Sequence, residues 1–166
     1  MKTLSLSFIA AFFLLAACNN SEQSESAPEA PVTEAPVTET PSEALVTLNA
    51  GDDMKFDLTE IRVKEGQTVK LTLHHTGKLG KNAMGHNFIL LAQGVSRDDF
   101  VLEAASARDS EYIPSQSQNH IIAHTKLLGG GESDTIEFPA PTKGTYEFLC
   151  SFPGHAALMK GTFIVE

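Results

Sequence analysis

The chain contains the run Cys150-Ser151-Phe152-Pro153-Gly154-His155-Ala156-Ala157-Leu158-Met159. This run places a thiol, an imidazole and a thioether within one short segment, and these are the soft and borderline ligands that copper selects. Alternating apolar and polar residues precede the run at 144–150 and follow it at 161–166, so we expect a turn between two β-strands. Two anchoring strands would hold the three candidate ligands rigidly.

The same alternation with a period of two residues recurs upstream and indicates a β-sandwich. Its apolar positions are Ile61, Val63, Val69, Leu71, Leu73, Ile136, Phe138, Tyr146, Phe148 and Cys150. A further strand is predicted at 86–91, buried on both sides at its far end. The fold class is therefore all-β.

One segment of the predicted sandwich has helical signals instead. Ser96 is a suitable N-cap, with Asp98 and Asp99 in the first turn. The apolar residues that follow at helical spacing are Phe100, Ala104 and Ala107. These signals predict one short helical flap at about residues 97–109.

The N-terminal segment 1–17 has the pattern of a secretory signal peptide. It carries Lys2 and then an apolar run that is too short to span a bilayer. The run ends in Leu15-Ala16-Ala17-Cys18, which resembles the bacterial lipobox, whose cysteine is acylated and becomes the first mature residue. An ordinary signal peptidase site is the alternative, with Cys18 incidental. We expect a lipidated Cys18, because an unpaired cysteine is unfavourable in an exported chain.

Residues 18–45 are rich in Ala, Pro and Glu and are predicted to form a disordered, extended tether. The formal net charge of −9 divides into +1 for the signal peptide, −6 for the tether and −4 for residues 46–166, where 11 basic face 15 acidic side chains. The domain at 46–166 has no cluster of basic residues, which argues against nucleic acid as a partner.

The lone thiol of the domain has two interpretations. Cys150 could be an inert, buried cysteine that packs as a small hydrophobic side chain. That alternative explains Cys150 but leaves His155 and Met159 without a reason. A metal site explains all three residues.

The run 150–159 resembles the copper loop of azurins, blue-copper proteins of the cupredoxin fold. The likeness extends over roughly 46–166, because 81–87 resembles the azurin segment with the first histidine ligand and 122–127 matches another stretch. The resemblance implies a cupredoxin-like Greek-key β-sandwich. With the lipobox and the tether, the whole chain resembles the lipid-modified azurins of the Neisseria type.

The resemblance also implies the ligands of one copper ion, which cycles between Cu(I) and Cu(II). Cys150, His86 and His155 would be the trigonal ligands. Met159 would be a weak axial ligand, and the Gly85 carbonyl a more distant one on the opposite side. Two nitrogens, a thiolate and a long thioether match the known preferences of copper in electron-transfer sites.

Other residues receive supporting roles from the same resemblance. Asn87 would join the two ligand-bearing loops, while Phe152 and Pro153 would exclude water and Pro153 would stiffen the turn. An apolar partner patch around the His155 ring would consist of Leu79, Ala83, Met84 and Leu158. Taken singly, each of these residues could equally be ordinary core, turn or surface filling.

The other histidines have less specific expected roles, and the chain differs from typical azurins at two places. His75 matches a buried histidine that could couple protonation to redox potential, or could simply pack; His74, His120 and His124 are expected at the surface. The disulfide usual near the N-terminal end of azurin domains is absent, and Phe88 stands where many azurins have Trp.

The leading functional hypothesis is a monomeric electron carrier without enzymatic activity or catalytic residues. Expected partners are c-type cytochromes or a copper-containing reductase or oxidase. A lipid anchor would hold the protein at a membrane, and we expect the outer membrane, with the domain facing the periplasm or the cell surface. Copper storage or delivery, or a surface-displayed interaction lipoprotein, are the alternatives, and zinc is an acceptable competitor for a site of one Cys and two His.

Overall fold

The computed structural model describes residues 42–166. The predicted signal peptide at 1–17, Cys18 and the tether up to residue 41 lie outside the described residues. The first strand begins at Glu43, within the segment that the sequence assigned to the tether at 18–45. The folded domain therefore starts slightly before the predicted boundary at 46.

The described residues form eight strands, two α-helices and three 3₁₀ helices. The strands are β1 (Glu43–Ala50), β2 (Glu60–Val63), β3 (Thr68–His75), β4 (Ile89–Leu91), β5 (Ile121–His124), β6 (Ser133–Pro139), β7 (Gly144–Leu149) and β8 (Lys160–Val165). The helices are α1 (Lys81–Met84), α2 (Arg97–Ala105) and the 3₁₀ turns Arg108–Ser110, Ser115–His120 and His155–Ala157. No helix within residues 42–166 combines the length and the apolar character needed to cross a membrane.

The strands form two mixed sheets. One sheet has three strands in the order β1-β3-β6, and the other has five in the order β2-β8-β7-β4-β5. The pairs β1–β3 and β2–β8 are parallel, whereas the other pairs are antiparallel. The chain therefore crosses between the sheets several times, and β7 and β8 are adjacent antiparallel strands joined by the run 150–159, as the sequence predicted.

The main core lies between the two sheets and follows from the period-two alternation, which turns one face of each strand inward. Fully buried members from the first sheet include Leu48, Val69, Leu71 and Leu73. Members from the second include Leu90, Phe148 and Phe163, and Phe88 joins them from the position just before β4. Cys150 and Met159 belong to this core. The predicted all-β sandwich is confirmed.

The helical flap is confirmed in a shorter form. The Ser96 hydroxyl accepts a hydrogen bond from the Asp99 N–H at 3.3 Å, as expected for an N-cap. The α-helix ends at Ala105, and a separate 3₁₀ turn covers Arg108–Ser110. A second, smaller core joins this flap to the sheet and to the 150–159 run; its members are Ile89, Leu91, Phe100, Ala104, Ile113, Leu149 and Ala156.

Candidate metal centre

Four predicted ligand side chains lie at one end of the sandwich, on two segments. Cys150 directly follows β7, His155 begins a 3₁₀ turn, and Met159 directly precedes β8. His86 lies between α1 and β4. All four are buried, with exposures of 0% for His86, Cys150 and Met159 and 4% for His155.

The structure brings His86, Cys150 and His155 together. Their potential ligand atoms all lie within 4.8 Å of one another, and this is the one such group found among residues 42–166. Cys150 Sγ is 3.7 Å from His155 Nδ1 and 3.8 Å from the carbonyl oxygen of Gly85. Two imidazole nitrogens and a thiolate at this separation are the donor set that copper favours in electron-transfer sites.

The His86 ring has a defined tautomer that leaves one nitrogen for a ligand. Its Nε2 is 2.8 Å from the carbonyl oxygen of Gly51, which can only accept, so Nε2–H donates. Nδ1 is then unprotonated, and it is the single buried side-chain nitrogen or oxygen without a partner in the described part of the chain. A hydrogen bond at one ring nitrogen commonly orients a histidine whose other nitrogen binds metal. The orphaned Nδ1 therefore fits a metal ligand.

Backbone hydrogen bonds fix both segments. The His86 N–H donates to the carbonyl of Leu128 at 3.0 Å, and the Leu128 N–H donates back to His86 at 2.8 Å. At the other segment the Cys150 N–H donates to Met159 at 3.0 Å, and the Met159 N–H donates to His155 at 2.8 Å. The run 150–159 is thereby closed on itself between its strands.

Burial sets the protonation of the three donors in the metal-free protein. Desolvation raises the pKa of the Cys150 thiol to about 11, although the backbone N–H groups of Asn87 and Phe152 oppose the shift. Desolvation lowers the pKa of His155 to about 4, and neighbouring His86 and His75 add to this effect. The pKa of His86 is also lowered, mainly by burial. At neutral pH both imidazoles are thus neutral and ready to bind a cation.

Asn87 connects the two ligand segments through Ser151. Its Oδ1 accepts from the Ser151 N–H at 2.8 Å, and its Nδ2 donates to the Ser151 hydroxyl at 2.8 Å. Both residues are buried. Ser151 was not singled out from the sequence, although its position directly after Cys150 was a signal that its backbone would serve the site.

Gly85 lies where a side chain could not. A Cβ added to Gly85 would meet the Lys81 carbonyl oxygen at 2.6 Å, Phe152 at 2.9 Å and Leu127 at 3.0 Å. The Phe152 ring lies 4.6 Å from the His155 ring and is half-buried, whereas Pro153 is exposed. Phe152 therefore covers the His155 ring, while Pro153 faces solvent.

The four residues assigned to a partner patch differ in exposure. Leu79 and Leu158 are large exposed apolar residues, at 45% and 59%. Ala83 is exposed and Met84 half-buried. Since His155 is itself nearly buried, its ring presents only a small edge to solvent. Solvent-exposed leucines of this size commonly belong to contact surfaces when they cluster.

His75 is buried behind His86. Its Nδ1 accepts from the Gly77 N–H at 3.1 Å, which leaves Nε2–H to donate to the Met84 carbonyl at 2.7 Å. Its ring stacks on the His86 ring with centroids 4.3 Å apart. These two hydrogen bonds hold the His75 ring against the His86 ring. Of the other histidines, His120 and His124 are exposed and His74 is half-buried.

Comparisons with known proteins agree with this donor set. The model of the family described as copper binding proteins, plastocyanin/azurin family, matches residues 42–166. Azurin of Pseudomonas fluorescens biotype C is 40% identical over 129 residues, covering 75% of this chain and 100% of that protein. Azurin of Bordetella pertussis is 41% identical over 129 residues, covering 73% of this chain and 83% of that protein.

Two solved auracyanin structures share this fold. Auracyanin A, a "blue" copper protein from Chloroflexus aurantiacus, has a TM-score of 0.68 and 30% identity, covering 75% of this chain and 100% of that one. Dithionite-reduced auracyanin from Roseiflexus castenholzii has a TM-score of 0.66 and 33% identity, covering 75% and 98%. The predicted cupredoxin-like fold of the β-sandwich is confirmed. The buried His86, Cys150 and His155 cluster and these likenesses together show that the chain belongs to the plastocyanin/azurin family of copper binding proteins.

Proposed function

We propose that this chain is a lipid-anchored type 1 (blue) copper protein that carries single electrons between redox partners. The observation that carries the proposal is the buried convergence of His86, Cys150 and His155 within 4.8 Å, with His86 Nδ1 left unpartnered. A buried, unsatisfied imidazole nitrogen costs free energy unless a ligand completes it. The same residues lie in the segments that resemble the azurins.

His86 Nδ1, His155 Nδ1 and Cys150 Sγ would hold the copper ion, with the Met159 thioether and the Gly85 carbonyl as weaker donors. When bound, copper supplies a one-electron couple between Cu(I) and Cu(II). The chain orients both imidazoles, keeps them neutral and excludes water. It also directs the backbone N–H groups of Asn87 and Phe152 toward the sulfur, and such bonds tune the potential of copper–thiolate sites.

Electron transfer, rather than catalysis, suits the burial of the donors. With exposures of 0–4%, the donor side chains leave no open side for a substrate, and a metal that catalyses hydrolysis or oxygenation keeps a position for one. Auracyanin A, whose structure this chain resembles, is itself a "blue" copper protein.

Electrons would enter and leave through the His155 edge. Among the described residues, His155 is the only one of the three strong donors with any exposed surface. Exposed Leu158 belongs to the 150–159 run, and exposed Leu79 shortly precedes α1. The proposed partners are c-type cytochromes or a copper-containing reductase or oxidase, which the protein meets as a monomer. A small apolar contact area would favour the fast dissociation that an electron carrier needs.

Titration of the purified, metal-free domain with Cu(II) tests the carrier function. We expect an intense blue thiolate charge-transfer band, narrow copper hyperfine splitting and fast, reversible voltammetry. A colourless protein that retains copper only after reduction would favour copper delivery instead. Titration with Zn(II) in competition would show whether zinc displaces copper from the same donors.

The anchor is supported by the lipobox-like Leu15-Ala16-Ala17-Cys18 and by the Ala/Pro/Glu-rich stretch that follows it. Acyl chains on the glycerol and on the new amine of Cys18 would give a stable multi-chain attachment. Asn19 is not the Asp that retains lipoproteins at the inner membrane, which favours the outer membrane.

Metabolic labelling with palmitate tests this attachment. Label is expected in the full chain and absent in Cys18→Ala, while copper binding by the domain stays unchanged. Proteinase treatment of intact cells would separate a domain that faces the cell surface from one that faces the periplasm. A labelled Cys18→Ala variant would contradict the proposed anchor.

A further inference from the structure

Two adjacent residues outside the ligand set adopt a costly backbone conformation. Glu111 and Tyr112 have φ angles of 56° and 62°, the left-handed region that residues other than glycine rarely occupy. Such conformations persist where surrounding contacts over-determine them, and they concentrate at functional sites. Glu111–Tyr112 lies between the 3₁₀ turn at Arg108–Ser110 and the buried Ile113.

Glu111 contacts both sides of the His86 segment. Its carbonyl accepts from Asn87 Nδ2 at 3.4 Å, and Asn87 is the residue after His86. Its carboxylate accepts from the Leu127 N–H at 3.0 Å, and the next residue, Leu128, forms the backbone bridge to His86. The same carboxylate lies 3.8 Å from the ammonium group of Lys81. Glu111 thus holds Asn87 and Leu127 on either side of one ligand.

Tyr112 contacts the other segment. Its ring meets the Phe152 ring edge-on, with centroids 5.2 Å apart and planes at 70°, and Phe152 lies 4.6 Å from the His155 ring. The Tyr112 N–H donates to the carbonyl of Ala107 at 2.8 Å, which ties the pair to the end of the flap. Tyr112 is nearly buried, so its ring has little freedom to leave Phe152.

We propose that Glu111 and Tyr112 are positioning residues that hold the two histidine-bearing segments at a fixed separation. The left-handed backbone is what lets two neighbouring residues reach opposite segments, with the Glu111 carboxylate toward Leu127 and the Tyr112 ring toward Phe152. A fixed separation limits movement of the donors when the charge of the site changes. This inference deepens the proposed electron-transfer function and rests on it.

Matched variants separate positioning from simple packing. Tyr112→Leu removes the edge-on aromatic contact but stays apolar, whereas Tyr112→Phe keeps the ring. Glu111→Ala removes the acceptor for the Leu127 N–H, whereas Glu111→Gln keeps an acceptor and loses only the half-exposed ion pair with Lys81, which contributes little to stability. Glu111→Gly relieves the left-handed strain and removes the carboxylate at once.

The first measurement uses the metal-free domain, with ¹⁵N relaxation dispersion on the ring nitrogens of His86 and His155. We expect new microsecond-to-millisecond exchange in Tyr112→Leu at His155, and in Glu111→Ala and Glu111→Gly at His86. Tyr112→Phe and Glu111→Gln should show the same exchange at these ring nitrogens as the parent protein. The inference is wrong if Glu111→Gly raises the melting temperature and produces no new exchange at the ring nitrogens of His86 or His155. Glu111 and Tyr112 would then form only a strained turn.

The second measurement is the electron self-exchange rate of the copper-loaded protein. Tyr112→Leu and Glu111→Ala are expected to lower it about tenfold, which corresponds to about 1.4 kcal/mol in activation free energy. If one of these variants fails to fold, the other carries the test. A parent protein without the blue band after copper loading would refute the proposed function. If the parent is blue and exchanges electrons rapidly, and the variants have the same self-exchange rate, only the positioning role is refuted.

Discussion

The two segments that supply the metal donors are built in different ways. The run 150–159 contributes Cys150, His155 and Met159 from one closed turn, whose internal bonds join residues at most nine positions apart. His86 depends instead on distant parts of the chain, through the carbonyl of Gly51 and the backbone of Leu128. The first segment is largely determined by local sequence, and the second by tertiary contacts.

This difference assigns each segment a separate contribution. The local run supplies the thiolate and fixes which metal the site prefers. The distant segment completes the site only when the sandwich has folded around it. Changes in the run should therefore alter the metal chemistry first, and changes around His86 should alter stability and geometry first.

Replacing the thiol is the most direct way to test the role of the run. We expect Cys150→Ser to abolish the blue band and to weaken copper binding severely, because the charge-transfer band requires a thiolate. The fold should persist, since a serine hydroxyl fits the same volume and can accept from the backbone N–H groups that face the sulfur. Absorption spectroscopy with added Cu(II), together with thermal melting, checks both expectations. Retained colour would mean that the ligand is misassigned.

Acid should destabilise the metal-free domain through the buried histidines. The pKa of His155 is about 4 in the folded protein and near 6.5 when exposed. Between these values the unfolded chain binds more protons, so stability falls as pH drops from about 6.5 to about 4. His86, whose pKa is also lowered, acts in the same direction. The loss from His155 amounts to roughly 3 kcal/mol at most.

Urea unfolding of the metal-free domain at a series of pH values measures this loss. In His155→Gln the slope between pH 4 and 6.5 should become much shallower. An unchanged slope in that variant would mean that other groups control the acid sensitivity. The comparison with His86→Gln shows how much of the slope belongs to each segment.

The connection between the segments should contribute measurably to stability. Asn87→Ala leaves the Ser151 N–H and hydroxyl buried without their partner, which we expect to cost about 2–3 kcal/mol. Ser151→Ala is the matched control, because it keeps the bond from the Ser151 N–H to Asn87 and should cost only about 1 kcal/mol. Urea unfolding of the two metal-free variants measures whether Asn87→Ala loses more stability than Ser151→Ala. Equal losses would indicate that the hydroxyl, rather than the backbone bond, joins the segments.

The same contrast explains how far the sequence could be interpreted. The strands, the flap with its Ser96 cap and the ligand run follow from local patterns, because alternation, capping and loop spacing are short-range signals. His86 was assigned only by resemblance to the azurins, since its ligand character depends on Gly51 and Leu128, which lie far away in sequence. No local pattern indicated α1, which is a single turn with no side-chain cap.

Glu111 and Tyr112 were missed for a related reason. Neither residue is a typical left-handed residue, and their conformation is imposed by contacts with Asn87, Leu127 and Phe152. A sequence pattern reports what a segment prefers by itself. It does not report a conformation that the rest of the fold enforces.

Gly85 provides a smaller test of the tertiary segment, because its role is steric. Its φ of −73° is open to any residue, so a substitution there is not strained by the backbone angle. An added Cβ would nevertheless lie 2.6 Å from the Lys81 carbonyl oxygen. We expect Gly85→Ala to cost about 2 kcal/mol in urea unfolding, as overpacked sites do. It should also shift the blue band, because the Gly85 carbonyl lies 3.8 Å from Cys150 Sγ.

Gly80→Ala is the control for that experiment, since it lies at the other end of α1 with an ordinary φ of −69° and no atom within 4 Å of an added Cβ. It should change stability by no more than about 0.5 kcal/mol and leave the spectrum unchanged. If both alanines are equally harmless, the segment at His86 can move away from the added methyl group. The site would then be less tightly enclosed on that side than the contacts of His86 imply, and the rigidity of the centre would reside in the 150–159 run alone.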